Sequence, residues 1–286
     1  MAERDDRLEV PRRSRLLFAW FRWYAQRYAA KHFDAVRVLR APSPARRGDA
    51  LPEDPGPGPL IVLLNHPSWW DPLVCLVLAG LFPERAPYAP MDASQLERYR
   101  FFRKLGFFGV EPGTVRGAAA FLRTSEAILR LPGTALWITA QGRFADPRER
   151  PVVLEPGVAH LARRLEAGWI VPLALEYPFW EERFPEALAR FGPPIPLESP
   201  GRSARAWLRI LAEALEGAQD ALARAACARD RAAFETVLEG RRGVGGFYDL
   251  FRFARAALRG ERFRAGHGRA PEGSAGGAAA PREGRP

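Results

Sequence analysis

The stretch LIVLLNHPSWWD, residues 60–71, decides how the rest of the chain is read. Residues 60–64 form an unbroken apolar run with Pro59 before it and Pro67 close behind. The run is too short for a helix and apolar at every position, so it reads as a strand covered on both faces, as in a largely parallel sheet. Directly after it, four residues separate His66 from Asp71. If the strand ends at His66 and a helix begins near Asp71, the turn at Pro67 brings the carboxylate back to the imidazole. Asp71 then stands at a helix N-terminus, where free N–H groups favour an anion. A carboxylate in that place holds the imidazole as its Nδ1–H tautomer, leaves Nε2 to accept a proton, and stabilises the imidazolium that results. Open α/β sheets build their sites at the C-terminal ends of strands, which is where this pair falls. The same spacing also arises by chance, and a histidine on a turn then has only a structural role.

Working outward, helix and strand alternate. Helical patterns cover 72–82, 94–104, 116–130 and 157–167, and a long Ala/Leu/Arg helix over 202–238 carries Trp207, Leu211, Leu215 and Leu222 in one stripe. TALWIT (134–139) and WIVPLALEY (169–177) read as strands. The alternation implies an α/β domain, a central mostly parallel mixed sheet flanked by helices, placed at 60–240. Before it come a basic aromatic helix within 1–40 and a connection over 41–59 with six prolines and three glycines. After it come a basic amphipathic segment, 241–264, and a tail, 265–286, whose Gly, Ala, Pro and charge predict disorder.

Composition removes several classes of protein. With 286 residues and 47% hydrophobic content, the chain can bury a sizeable core. Two cysteines, Cys75 and Cys227, exclude a disulfide framework or a cysteine-based zinc site, and four scattered histidines (32, 66, 160 and 267) form no metal cluster in the sequence. No metal is therefore expected. No apolar run reaches the roughly 18 to 20 residues of a membrane span, and the N-terminus lacks the pattern of an export signal. The chain is expected neither to cross a bilayer nor to be exported.

The net charge of +10 sits at the ends: residues 1–40 carry 10 basic and 5 acidic side chains, residues 241–286 carry 10 and 4, and the 200 between them carry 23 and 24. Of the basic residues only Lys31 and Lys104 are lysine, which with heavy Ala, Gly and Pro use points to a GC-rich coding sequence and weakens the significance of any one arginine. Within 12–38, Leu17, Phe21, Tyr24 and Tyr28 follow helical spacing beside Trp20, with Arg15, Arg22 and Gln26 on the other side. Residues 246–264 repeat the mixture, with Phe247, Phe251, Ala254 and Leu258 on one face. Basic helices rich in aromatic rings suit a membrane surface with anionic lipid. The alternative is that both pack on the domain with solvated arginines. No helix-turn-helix, zinc-finger or RNP-like pattern supports nucleic acid as a partner.

At Asn65–Asp71 the sequence resembles the glycerolipid (lysophospholipid) acyltransferases, which include 1-acylglycerol-3-phosphate acyltransferase. The resemblance covers roughly residues 60–200. Asn65 to Asp71 matches the family's N-H-x4-D block in full. LGFFGVEPGTVRGAAAFLR (105–123) corresponds to a second block that supplies an arginine for the acceptor phosphate. TAQGRF (139–144) stands where the family has F-P-E-G-T-R, and IVPLALEY (170–177) matches a strand with a central proline. The departures fall on acceptor recognition. Pro112 takes the place of the second-block arginine, with Arg116 one helical turn later as its nearest substitute. Gln141 replaces a glutamate, Gly142 is retained, Arg143 replaces a threonine, and Phe144 stands where the family has arginine.

The resemblance implies that His66, oriented by Asp71, deprotonates a lipid hydroxyl that attacks an acyl thioester of coenzyme A or acyl carrier protein, with no other cofactor. It further implies that Asn65, Arg116, Gln141, Gly142, Arg143 and Pro172 contact substrate. A lysophospholipid such as 1-acylglycerol-3-phosphate is the leading acceptor; a non-phosphorylated acceptor, a lipid glycoside or an amino lipid, is the alternative, and a catalytically silent lipid-binding protein is a third reading. The enzyme would be peripheral, at the cytoplasmic face of the membrane. The absence of a G-x-S-x-G elbow, Walker loop or H-E-x-x-H agrees with direct transfer. His32, His160 and His267 read as packing or surface residues, Cys75 as buried and inert, and Trp69 and Trp70 as core or as walls of an acyl channel.

Overall fold

The computed structural model describes residues 10–42, 49–50, 52–197 and 202–241. Internal contacts divide the chain into two units, residues 1–180 with 184–241, and residues 181–183 with 242–286. The first unit holds every element named below. The expected segment at 241–264 (beyond Arg241) and the expected tail at 265–286 lie outside the described residues.

Helix α1 (Arg15–His32) leads to β1 (Ala35–Leu39); then follow β2 (Leu60–Leu64), α2 (Asp71–Leu78), β3 (Ala86–Asp92), α3 (Ala93–Arg98), β4 (Phe107–Val110) and α4 (Val115–Leu129). β5 (Thr134–Thr139), α5 (Pro156–Arg164), β6 (Trp169–Glu176), β7 (Glu186–Phe191), α6 (Ala204–Ala228) and β8 (Phe234–Glu239) complete the order. Among the described residues nine strands form one sheet in the order β8-β1-β7-β6-β2-β5-β3-β4, with the short pair Ile195–Pro196 also on β6. The run β6-β2-β5-β3-β4 is parallel throughout; β7 is antiparallel to β6 and parallel to β1, and β8 is antiparallel to β1. The fold is α/β, a mostly parallel mixed sheet with helices on both faces.

β2 is central, and all five of its residues are buried. Its alternation feeds two cores: Ile61 and Leu63 pack with Ile128 of α4, Leu161 of α5 and Leu211 of α6, whereas Leu60, Val62 and Leu64 pack with Val74, Val77 and Leu78 of α2. Each such side chain contributes about 1.5–3 kcal/mol of burial, which explains why no polar residue interrupts the run. α1 lies on α2, with Phe18 and Ala25 packed among Leu73, Leu76 and Leu105.

Two expected helices stop early, and the residues after them form strands. The N-terminal helix ends at His32, not 38, and the next residues form β1, whose Val36 and Val38 are fully buried in the sheet core. The first 40 residues are therefore not only a surface helix. The helix expected over 202–238 ends at Ala228, where Arg229 adopts a left-handed conformation (φ 53°) and its N–H caps the last turn. Phe234–Glu239 then forms an edge strand on β1. No glycine or proline marks that stop, and the Ala/Arg-rich pattern runs through it. β3, β4 and β7 were also not legible as strands: β3 contains Pro87 and Pro90, and Glu186–Phe191 reads as polar and helix-prone. Among the described residues, no helix is long and apolar enough to cross a membrane.

Candidate active site

β2 ends at Leu64 and α2 starts at Asp71, so the six residues between them form the turn at the C-terminal edge of the sheet. Asp71 is the first residue of α2, with Pro72 next, a position where proline's missing N–H costs nothing. The turn brings Asp71 Oδ2 to 2.6 Å from His66 Nδ1. Asp71 is 1% exposed and His66 about one-fifth. Two further donors converge on the same carboxylate: the Ser68 N–H to Oδ2 at 3.2 Å, and the Tyr177 hydroxyl to Oδ1 at 2.6 Å. A carboxylate so held accepts from Nδ1–H, and Nε2 is the remaining ring nitrogen with a lone pair. Burial, with the nearby Asp71 charge and the hydrogen bond to it, pushes the Tyr177 phenol well above its usual range, so it stays protonated and donates.

Residues 140–145 grip His66 from the other side. The Ala140 N–H donates to Leu64 O (3.1 Å), and the Ala145 N–H to His66 O (3.0 Å). Gln141, 6% exposed, accepts the His66 N–H on its Oε1 (3.2 Å), and the Phe144 ring stacks on the imidazole with centroids 4.2 Å apart. Gly142 turns the chain at φ +65°, and a Cβ there would stand 2.7 Å from Cγ of Glu155.

The pair borders a cavity of about 740 Å³. Its location follows from the sheet. β3 pairs with β5 only over Ala86–Tyr88 and with β4 over Ala89–Asp92, so the sheet parts beside Trp137–Thr139. The cavity occupies that wedge and reaches both core layers, with Trp137 and Leu64 on one side and Ile138, Phe121 and Val158 on the other. Most of its wall is apolar. Cys75 also lines it; burial and the Asp71 charge raise its thiol well above the usual range, which disfavours a thiolate nucleophile. Among the described residues no group of three or more His, Cys, Asp or Glu could hold a metal ion.

Of the residues expected from the sequence, His66, Asp71 and Gly142 line the cavity together. The others do not. Asn65 is fully buried, and its side-chain amide donates to Leu175 O (3.0 Å) while its Oδ1 accepts the Leu175 N–H (2.8 Å). It clamps β2 to β6 and does not line the cavity. Gln141 likewise braces the His66 backbone. Pro172 is buried within β6, where its missing N–H falls between the antiparallel ladders that β6 makes with β7 and with Ile195–Pro196, and Pro172 O accepts from Gly192. Arg116 is exposed on the first turn of α4 outside the cavity wall. Arg143 points to solvent and pairs with both oxygens of Glu149.

Tyr177 escaped the sequence reading, although β6 neighbours β2 in parallel, so their C-terminal ends share one edge. Trp69 is 66% exposed, whereas Trp70 packs edge-on against Phe33 (4.8 Å). Neither lines the cavity.

No protein-family model matches the chain, and no curated protein matches it in sequence. Among solved structures it is similar to the 1-acyl-sn-glycerophosphate (LPA) acyltransferase PlsC from Thermotoga maritima, at 14% identity over 73% of this chain and 79% of that one, with a TM-score of 0.48.

Proposed function

We propose that this chain is an O-acyltransferase that moves a fatty acyl group from a thioester carrier, coenzyme A or acyl carrier protein, to the hydroxyl of a lipid. The observation that carries the reading is the His66–Asp71 contact of 2.6 Å at the edge of a large, mainly apolar cavity. In the reaction, His66 Nε2 takes the proton of the acceptor hydroxyl as its oxygen attacks the thioester carbonyl. The new C–O bond forms, the C–S bond breaks, and the departing thiolate takes the proton from the imidazolium, which regenerates neutral His66. Asp71, with Tyr177 and Ser68 behind it, stabilises the imidazolium while it exists. The apolar wall suits the acyl chain, and holding both substrates in one cavity turns an encounter of two molecules into a step within one complex.

The lysophosphatidate acceptor implied by the family resemblance gains no support from the site's charges, because neither Arg116 nor Arg143 lines the cavity. The cation expected at the end of the third block is Phe144, which lies on the imidazole face. A membrane surface as partner is supported by α1, which exposes Trp20 and Trp23 and sets the Arg27 guanidinium over the Trp23 ring. The site of action is then the bilayer face where the acyl carrier is supplied, which is the cytoplasmic one.

The test is thiol release from acyl thioesters in the presence of a panel of lipid alcohols. His66→Ala should lower the rate by about 10²–10⁴-fold. Release that survives this substitution unchanged, or no release with any pair, overturns the reading and leaves a lipid-binding scaffold.

A further inference from the structure

The charged side chains that line the cavity are all of one sign. Its wall contains no Arg or Lys; beyond Asp71, which is engaged with His66, it contains Asp92, Glu111 and Glu155. These three sit where the fold would otherwise attract an anion. Helices α3, α4 and α5 all begin at this edge, and a helix N-terminus with free N–H groups is a ready phosphate site.

Here each start is already accompanied by a carboxylate or closed by a cap. Asp92 is the N-cap of α3 and accepts from the N–H groups of Ser94 (2.8 Å) and Gln95 (3.3 Å). Glu155 is the N-cap residue of α5, with proline following it and no side-chain cap bond. Thr114 caps α4 by accepting the Gly117 N–H at 2.9 Å, and Glu111 lies three residues before it. The Glu111 loop is fixed tightly: a Cβ on Gly117 would fall 1.9 Å from Glu111 O. Glu155 lies over Gly142, its Oε1 at 3.3 Å from where a Cβ on that glycine would be. Neither Glu111 nor Glu155 forms an ion pair among the described residues.

Glu111 and Glu155 are exposed, so an anionic group entering here meets two unneutralised carboxylates whose repulsion acts at short range and is strongest at low salt. We infer that the acceptor preferred by this cavity carries no anionic group beside its hydroxyl: it is a lipid alcohol whose neighbouring polar group is neutral or cationic, and lysophosphatidate is disfavoured. The selecting residues are Glu111 and Glu155, which line the cavity from the loop after β4 and from the start of α5. The inference rests on the acyl-transfer reading for the identity of the ligand as an acceptor, but its charge preference is measurable without turnover.

The experiment is equilibrium binding by calorimetry to full-length His66→Ala protein. Three short-chain lipids, used below their micelle concentrations, differ only in the group beside the hydroxyl: a monoacylglycerol, its amino-alcohol counterpart and its phosphate ester. The neutral and cationic ligands should bind at least about tenfold more tightly than the phosphate, and Glu111→Gln/Glu155→Gln on the same background should narrow that gap about tenfold. A preference for the cation that vanishes in the double variant points to the amino alcohol; equal neutral and cationic binding points to the plain alcohol. Either result supports the inference. Phosphate binding as tight as the neutral ligand, or a gap that the double variant leaves unchanged, overturns it. Thiol release with the same three lipids and wild-type protein reports separately on the chemistry, so a failure of acyl transfer is distinguished from a failure of charge selection.

Discussion

At the scale of single residues, the dyad is held by more than its two members. Tyr177 donates to the Asp71 oxygen on the side away from Ser68, so the carboxylate cannot rotate without breaking a buried hydrogen bond. Tyr177 does not line the cavity, and removal of its hydroxyl should therefore act on the chemical step. Tyr177→Phe is expected to lower kcat about five- to tenfold with little change in KM and to shift the pH–rate profile. A change in KM alone, with kcat and the profile intact, would count against this role. Asn65 and Gln141 belong to the same support. The first ties β2 to β6 through both hydrogen bonds of Leu175, and the second holds the His66 main chain. His66 and Asp71 were legible because both lie in one short turn after a recognisable strand. That Asn65, Gln141, Pro172 and Arg143 lie off the cavity wall was not legible, because their partners are 6 to 110 residues away, and adjacency to a motif does not say which way a side chain points.

At the scale of elements, two features depend on strand pairing. One is the wedge between β5 and β3 that makes the cavity. The other is a buried ionic cluster where β1, β7 and β8 meet. Arg37 of β1 donates to Glu186 at the start of β7 (2.9 Å), to Asp34 (3.2 Å) and to Thr236 of β8 (2.5 Å), while Arg231 lies 3.5 Å from Glu186. Burial raises the Glu186 carboxyl to about 7, against the lowering effect of Arg37; the hydrogen bond and charge of Asp34 add to the rise. With an ordinary value of 4.5, the folded state holds more protons than the unfolded state between that pH and about 7. The contribution of Glu186 to stability is therefore complete below the unfolded value and is lost as pH rises through neutrality. Thermal unfolding followed from about pH 5 to 8 should show Tm falling, and Glu186→Gln should flatten the fall. A profile unchanged by the substitution would rule out Glu186 as its source.

At the scale of the whole molecule, the basic surplus at the N-terminal end coincides with exposed rings. α1 buries Phe18, Ala25 and Ala29 against the body but leaves Trp20 56% and Trp23 51% exposed, with the Arg27 guanidinium over the Trp23 ring at 4.9 Å. Packing and interfacial binding are thus both available to one helix, on different faces. Flotation with anionic vesicles should weaken as salt rises and fall about tenfold in Trp20→Ser/Trp23→Ser, with thermal stability little changed. Binding that is indifferent to both would remove the membrane from the reading.

By itself the sequence determined the central strand, its two buried faces, the helices around it and the His66–Asp71 turn. Each is written in neighbouring residues as apolar run, helical period or N-terminal chemistry. Only the tertiary structure decided that Val36–Val38 and Glu186–Phe191 are strands, since their burial comes from β7, β6 and β8 and not from local preference. It alone brought Tyr177 to Asp71 and set Glu111 and Glu155 in the wall of the same cavity as His66. These residues lie on strand ends and loops far apart in the chain, and the order in which strands join a sheet sets which of them meet.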